Sequence, residues 1–202
     1  MEIVGNKWYH ELARRIEQHG GKRSIFRNEK GESVLYLDRF YIIKTPWLEV
    51  MIHRFYLGDK GPLHNHPATT FGWILETGYY ERLCTSIDEQ GITQGEYTAS
   101  RTPGNFGYRP GSDKNHSNFR SYHKVKLRSP SDAGNVWTLF CMCKRNPYSW
   151  GFRGNDGKFV HFAENDKKEG VADIQSQHDK YKGWFFPRKI LTQPRSPWKR
   201  SP

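Results

Sequence analysis

Apolar positions near the start of the chain follow a helical spacing, and further along they follow a spacing typical of short strands. Trp8, Leu12 and Ile16 recur every four residues, so they share one face of a helix that the Gly20-Gly21 pair can end. Asn6 is the expected N-cap of this helix. Beyond it, the apolar runs become short and are separated by turn residues, which predicts strands at 24–26, 34–37, 40–43 and 47–57.

The same strand-like pattern continues through the middle of the chain. The apolar run 71–75 ends at Thr77-Gly78, which predicts a hairpin between the strand carrying His64 and the strand 79–84. A segment rich in Gly, Pro, Asn and Ser predicts a loop over roughly 102–118. Strands resume at 121–128 and 136–144. Many short strands joined by turns predict an all-β domain, either a sandwich or a small barrel.

Composition agrees with a folded domain rather than a disordered chain. Of the 202 residues, 15% are aromatic, whereas disordered chains are poor in aromatic residues. We therefore divide the chain into an N-terminal helix (1–22), a β-barrel (23–163) and a C-terminal segment (164–202).

Residues 180–202 carry +7 of the formal net charge of +11, and residues 1–179 carry the remaining +4. Residues 180–202 contain seven basic residues and no acidic one, together with the aromatic cluster Trp184, Phe185 and Phe186. One hypothesis is that this tail binds nucleic acid or an acidic partner. The alternative is a strap whose aromatic cluster packs on the barrel while its charges stay in solvent.

Two features suggest a cytoplasmic protein without a membrane segment. No apolar run approaches the roughly 20 residues needed to cross a bilayer, and the amino terminus does not resemble a signal peptide. The three cysteines are too few for a disulfide scaffold, which fits the same expectation.

The His64-Asn65-His66-Pro67 segment is the clearest candidate for chemistry. Side chains two apart in a strand project from the same face, so both imidazoles can face one metal ion. His123 is the preferred third ligand because it alternates with Lys124 and Lys126 in a way that places it on a buried face. His116, in a polar loop, is the alternative third ligand. The other histidines are not assigned to the site: His10, His19, His53, His161 and His178.

Several further residues are candidates for catalysis or substrate binding. Glu81 is a candidate base and Tyr79 a second catalytic candidate, with a surface carboxylate and a packing aromatic as the alternatives. The candidate substrate-binding residues are Tyr122, Arg54, Arg109 and Arg120. Their alternatives are a packing aromatic and exposed arginines without a ligand.

These motifs resemble the cupin superfamily, whose first motif places a Gly, a His-x-His-Pro segment, a Glu and a second Gly at fixed spacing. Gly58, His64, His66-Pro67 and Gly78 fit this frame, whereas Phe71 occupies the Glu position. More narrowly, the chain is similar to small cupins of bacteria and their phages over roughly residues 50–162. The further matches are Arg54-Phe55, Asp59, Leu75, Tyr79, Glu81, His123, Val125, Leu127, Trp137 to Phe140, Lys144 and Trp150 to Phe152.

The resemblance implies a double-stranded β-helix (jelly-roll) barrel around one metal ion. Without the Glu, the expected ligands are three neutral histidines, as in cysteine-dioxygenase-like cupins that use iron. The expected function is therefore an Fe(II)-dependent dioxygenase or hydroxylase acting on a small or peptidyl substrate. Zn, Mn and Ni also accept imidazole ligands. The alternatives are a non-catalytic cupin that binds a ligand or partner, and a metal-dependent isomerase or epimerase.

Overall fold

The structure is a computed structural model that describes residues 2–146 and 150–161. It contains one α-helix and eleven β-strands in the described part of the chain. The elements are α1 (Trp8–Gln18), β1 (Lys22–Glu29), β2 (Glu32–Lys44), β3 (Leu48–Phe55), β4 (Ala68–Glu76), β5 (Tyr79–Cys84), β6 (Glu96–Arg101), β7 (Phe106–Arg109), β8 (His123–Lys126), β9 (Val136–Arg145), β10 (Gly151–Arg153) and β11 (Phe159–His161).

The strands form two facing layers, and all their pairings are antiparallel. One layer is a six-stranded sheet in the order β1-β2-β3-β9-β4-β7. The other contains the three-stranded sheet β6-β5-β8 and the hairpin β10-β11, which His64 connects by bridging to both His123 and Phe152. Leu37, Phe55 and Val136 of the first layer pack against Val125 of the second, forming the core between them. This is the predicted all-β, jelly-roll architecture with a short N-terminal helix.

Helix α1 covers the outer face of the six-stranded sheet. Tyr9, Ala13 and Ile16 are buried against Phe40 and Trp137. The prediction that Asn6 caps the helix is wrong, because the N-cap is Lys7 and no side chain caps it. The helix ends as predicted, with Gly20 in the left-handed region at φ +75°.

Glu76 at the end of β4 ties the helix to the sheet. Its carboxylate accepts hydrogen bonds from Lys7 Nζ at 2.7 Å, from the Tyr9 hydroxyl at 2.8 Å and from His10 Nε2 at 3.0 Å. Three donors from one helix therefore fix its position on the sheet.

The predicted hairpin about Thr77-Gly78 is wrong. Strand β4 pairs with β7 and β9, whereas β5 pairs with β6 and β8, so the chain crosses from one layer to the other at Gly78. Gly78 has φ +90°, and a Cβ there would lie 2.1 Å from the carbonyl oxygen of Arg101. This corner therefore requires glycine.

Other differences concern strand boundaries. The two strands predicted at 34–37 and 40–43 form one continuous strand, β2. Strand β6 was not predicted, and β7 lies within the segment predicted to be a loop. The strand predicted at 121–128 is shorter, because residues Phe119–Ser121 form a 3-10 helix before β8 begins.

In the described part of the chain, no helix combines the length and apolar character needed to span a membrane. The whole C-terminal segment (164–202), including the basic tail 180–202, lies outside the described residues.

Candidate metal centre

Three histidines from separate parts of the chain meet between the two layers. His123 is the first residue of β8, while His64 and His66 lie in the extended segment just before β4 rather than within a strand. The backbones of His64 and His123 exchange two hydrogen bonds of 2.9 Å, which fixes their register. The ring centroids are 5.2 Å apart for His64 and His66, 4.8 Å for His64 and His123, and 5.0 Å for His66 and His123.

The ring nitrogens have a spacing that fits one metal ion. Nε2 of His66 lies 2.8 Å from Nε2 of His123, and one nitrogen from each of the three rings falls within 4.8 Å of the others. Two imidazole nitrogens bound to one ion at about 2.1 Å would be roughly 3.0–3.4 Å apart, so small side-chain adjustments would complete the site. The three histidines are thus a donor set that can hold a metal ion.

Burial keeps two of these rings neutral. It lowers the pKa of His64 to about 4, although the nearby carboxylate of Asp59 acts in the opposite direction. Burial, with the charges of His123 and His64 as further causes, lowers the pKa of His66 well below its usual value. A metal ion binds the neutral imidazole, so these two ligands need not lose a proton at pH 7.

Glu81 on β5 is buried against His123 rather than lying on the surface. Its Oε1 is 2.8 Å from Nδ1 of His123, and its side chain is only 4% exposed. Arg101 Nε donates to Oε2 at 2.6 Å, and Arg109 Nη2 lies 2.5 Å from Oε1. A carboxylate on one nitrogen of a histidine fixes the tautomer that leaves the other nitrogen free for a metal.

The protonation state of Glu81 follows from these contacts. Burial alone would raise its pKa, but the hydrogen bond with His123 and the charges of His123, Arg109 and Arg101 outweigh burial and lower the pKa below its usual range. Glu81 is therefore an anion in contact with His123, and its role as a base stays a prediction.

A cavity of about 110 Å³ adjoins the three histidines. Its lining includes Tyr79 from β5, together with His53, Thr70 and Phe140 from the six-stranded sheet. Burial raises the pKa of Tyr79 far above its usual value, so its hydroxyl keeps its proton. A wider groove of about 710 Å³ elsewhere on the protein includes none of the three histidines, so the smaller cavity is the candidate site.

Of the predicted arginines, the structure places only Arg109 at this cavity. Arg54 is buried outside it, where its Nε donates to the Gly134 carbonyl at 2.7 Å and its guanidinium lies over the Trp137 ring. Arg120 is exposed beside Phe119. Neither of these two arginines lines the cavity, because Arg54 projects from the opposite face of β3 to His53 and Arg120 belongs to the 3-10 helix.

Two other predicted candidates also lie away from the cavity. Tyr122 is completely buried, and its hydroxyl donates to the His116 carbonyl at 3.0 Å, so it is a packing aromatic. His116 stacks on Phe159 with ring centroids 3.7 Å apart and does not belong to the histidine cluster of the described residues.

Phe71, at the Glu position of the cupin motif, points away from the three histidines. Its ring contacts Phe106 and Tyr108 at centroid distances of 5.9 and 5.4 Å, on the outer face of the six-stranded sheet. The preceding residue, Thr70, is the one that lines the cavity.

Sequence reasoning missed three basic residues that line the cavity: Arg39, His53 and Arg101. Arg39 lies between the two predicted strands that form the single strand β2, and Arg101 ends the unpredicted strand β6. In the sequence His53 has no neighbouring histidine, so no pattern connects it with the site. Alternation along a continuous β2 and along β3 is the signal that could have placed Arg39 and His53 on the inner face.

Comparison with known proteins returned no matching family model and no matching curated protein. Among solved structures, a protein of unknown function with a cupin-like fold from Ralstonia eutropha JMP134 is 19% identical, with 68% of this chain and 76% of that chain covered and a TM-score of 0.39. An RmlC-like cupin from Desulfovibrio desulfuricans is 13% identical, covering 54% of this chain and 83% of that chain at a TM-score of 0.34.

An oxalate oxidase structure is similarly distant. It is 16% identical, with 67% of this chain and 66% of that chain covered and a TM-score of 0.40. At these TM-scores neither an activity nor a ligand is carried over to this chain. The similar structures thus include cupin-like folds, and the three histidines of this chain form a cluster able to hold a metal ion.

Proposed function

We propose that this protein is a metal-dependent oxygenase that uses Fe(II), bound by His64, His66 and His123, to act on a small substrate. The observation that carries the proposal is the convergence of three imidazole nitrogens beside an internal cavity. Structural metal sites are closed by four protein ligands, whereas catalytic sites keep positions free for substrate. In the described residues the cluster offers three ligands, which favours a catalytic site.

The surrounding residues would hold and shield the reacting groups. Glu81 orients His123, and the neutral hydroxyl of Tyr79 can donate a hydrogen bond to a substrate in the cavity. The apolar side chains of Phe140, Ile74 and Met142 limit the access of water. An Fe(II) ion in this site would supply redox chemistry with dioxygen and the substrate.

Iron is favoured over other metals by the proposed chemistry rather than by the ligands. Three imidazoles also suit Zn, Mn and Ni, so the donor set alone permits all four. Three histidines without a carboxylate leave the double charge of Fe(II) uncompensated, which favours direct coordination of an anionic or thiolate substrate group. We therefore expect oxygen consumption that does not depend on 2-oxoglutarate.

The test begins with the metal itself. Elemental analysis of protein purified without a metal-binding tag should find close to one equivalent of metal per chain, with iron the expected metal. Nitric oxide added to the Fe(II) protein should give the electron paramagnetic resonance signal of an iron–nitrosyl species, because open positions remain. The proposed enzymatic function would be contradicted if protein ligands filled every coordination position of the metal, or if the protein failed to bind Fe(II) anaerobically. Either result would favour a non-catalytic ligand-binding protein.

Activity is tested by oxygen uptake with a panel of small thiols and carboxylic acids. We expect at least one of them to stimulate uptake by the wild-type protein, and by His116→Ala as the matched control, but not by His66→Ala. Turnover of a substrate without oxygen uptake would instead indicate the isomerase or epimerase alternative.

A further inference from the structure

The charges around the cavity are unbalanced in favour of cations. Three arginines, Arg39, Arg101 and Arg109, line it together with two carboxylates, Asp59 and Glu81. A divalent metal ion on the histidines would increase the positive excess. An anion is therefore the ligand that the cavity as a whole would favour.

Both carboxylates are already engaged by other groups. Glu81 interacts with His123, Arg101 and Arg109, as described above. Asp59 accepts a hydrogen bond from the Tyr36 hydroxyl and another, of 2.6 Å, from the backbone nitrogen of Val125. Neither carboxylate therefore neutralises Arg39.

Of the three arginines that line the cavity, Arg39 is the one without a carboxylate partner in the described residues. It forms no ion pair within residues 2–146 and 150–161, and its Nε is buried without a hydrogen bond. It lies close enough to the site for its charge to contribute, after burial, to lowering the pKa of His53 and of His66. Arg39 is half-buried with its Nε out of contact with solvent, and a cation held at an internal cavity without a counter-charge favours a ligand that supplies the charge.

His53 provides an unpaired ring nitrogen beside Arg39. The two residues are direct cross-strand partners on β2 and β3, and both line the cavity. Nε2 of His53 is also buried without a hydrogen-bond partner. The His53 ring is held by stacking on Phe140, with centroids 4.7 Å apart and an interplanar angle of 23°.

We propose that Arg39, assisted by His53, binds the carboxylate of a small organic acid in this cavity. A guanidinium presents parallel N–H donors that match the two oxygens of a carboxylate, and the imidazole can donate to one of them. The chemistry that follows binding rests on the proposed function, whereas the anion site consists of protein groups alone. Arg39 thus takes the role that the sequence suggested for Arg54, Arg109 or Arg120.

The cavity also restricts the rest of the ligand. Ile74, Phe140 and Met142 give it an apolar wall, which suits an organic acid better than an inorganic anion. The cavity of about 110 Å³ therefore suits a small organic acid.

Two glycines help to create this space. Gly72 and Gly107 are paired across β4 and β7 and both line the cavity. A Cβ added to Gly72 would meet only Phe140 Cδ2, at 4.0 Å. A valine there would therefore occupy cavity volume without requiring a strained backbone.

The test is a nuclear magnetic resonance titration of the ¹⁵N-labelled protein, both metal-free and loaded with Zn(II). Propionate should shift the Arg39 Nε–H resonance downfield to saturation, whereas propionamide, its uncharged isostere, should not. The resonance is assigned by its absence from Arg39→Lys. Inorganic phosphate serves as the third probe, and a shift by phosphate equal to that by propionate would overturn the assignment to an organic acid.

Substitutions give an independent readout. Arg39→Met should weaken propionate binding about tenfold or more, since a charged hydrogen bond is lost, while Arg120→Met should leave it unchanged. Gly72→Val should weaken it as well, by filling the cavity. Unchanged affinity in Arg39→Met would overturn the proposal. If Arg39→Met does not fold, the proposal is tested by the Nε–H response of the wild-type protein to propionate and propionamide.

Failure of the anion site is distinguishable from failure of the proposed function. If the protein binds propionate through Arg39 but binds no metal, the proposed anion site stands and the proposed oxygenase function fails. If the protein binds metal on its histidines but the Arg39 resonance does not respond to propionate, only the proposed carboxylate site fails.

Discussion

His64, His66 and His123 each contribute one ring nitrogen to the cluster that can hold a metal ion. We predict that replacing any one of them with alanine lowers metal affinity at least tenfold, because a two-histidine site loses a full coordinate bond. Metal content after equilibrium dialysis measures the effect. His116→Ala is the control and should retain full occupancy, since its ring stacks on Phe159. Full occupancy in His123→Ala would remove that residue from the site.

Glu81 contacts Nδ1 of His123, the ring nitrogen that does not face the other two histidines. Glu81→Gln should weaken metal binding about 10- to 100-fold, because the neutral amide no longer fixes the His123 tautomer with a charge. It should also lower the melting temperature, since Arg101 and Arg109 lose their counter-charge. A competition titration with a chromophoric chelator measures the affinity.

The matched control for this prediction is Glu96→Gln. Glu96 pairs with Arg82 at the surface, where their side chains are 34% and 48% exposed, so its loss should change little. Equal effects of the two substitutions on metal affinity would show that Glu81 has no orienting role.

At the scale of elements, the corner between β4 and β5 tests how the two layers are connected. Gly78→Ala should destabilise the protein strongly, by more than about 2–3 kcal/mol, because it adds a backbone clash to an unfavourable φ. Gly91→Ala isolates the second effect, since Gly91 has φ +75° with nothing within 4 Å of an added Cβ. Its cost should be about 1 kcal/mol. Urea denaturation of both variants provides the comparison, and equal midpoints would contradict the clash.

Alternation of polar and apolar residues predicted strands correctly where one face of the strand is apolar. It identified the inward face of β8, and therefore His123, because Val125 on the same face is buried. It failed at Asp38-Arg39, where two adjacent polar residues look like a break between strands. Each of them faces a different side of β2: Asp38 accepts from Ser24 at 2.5 Å and from Tyr56 at 2.8 Å, whereas Arg39 lines the cavity.

Sheet pairing was not readable from local sequence. Two apolar runs on either side of Thr77-Gly78 look the same whether the strands pair or separate into different layers, because the partners of each strand are distant in the chain. Strand β6 was missed for a different reason: its residues are mostly exposed and give no apolar alternation. Its Arg101 was therefore not connected with Glu81.

For the molecule as a whole, the role of residues 180–202 stays a prediction. All three candidate ligands lie in the described part of the chain, so deletion of this tail should leave metal occupancy unchanged. If the tail binds nucleic acid, deletion should abolish binding that weakens steeply with salt in the full chain. If it is a strap, deletion should instead lower the melting temperature, by loss of buried Trp184, Phe185 and Phe186. Fluorescence anisotropy at several salt concentrations and thermal unfolding distinguish these outcomes.

The histidines also join the two layers: His66 leads into β4 of the six-stranded sheet, whereas His123 begins β8 of the opposite one, 57 residues later. The two can share an ion only after the layers have closed, so metal capture should follow folding rather than guide it. A bound ion should then slow unfolding in stopped-flow measurements and leave the refolding rate unchanged. The native state would therefore have its longest lifetime while the metal is bound. A chelator would shorten that lifetime without slowing folding.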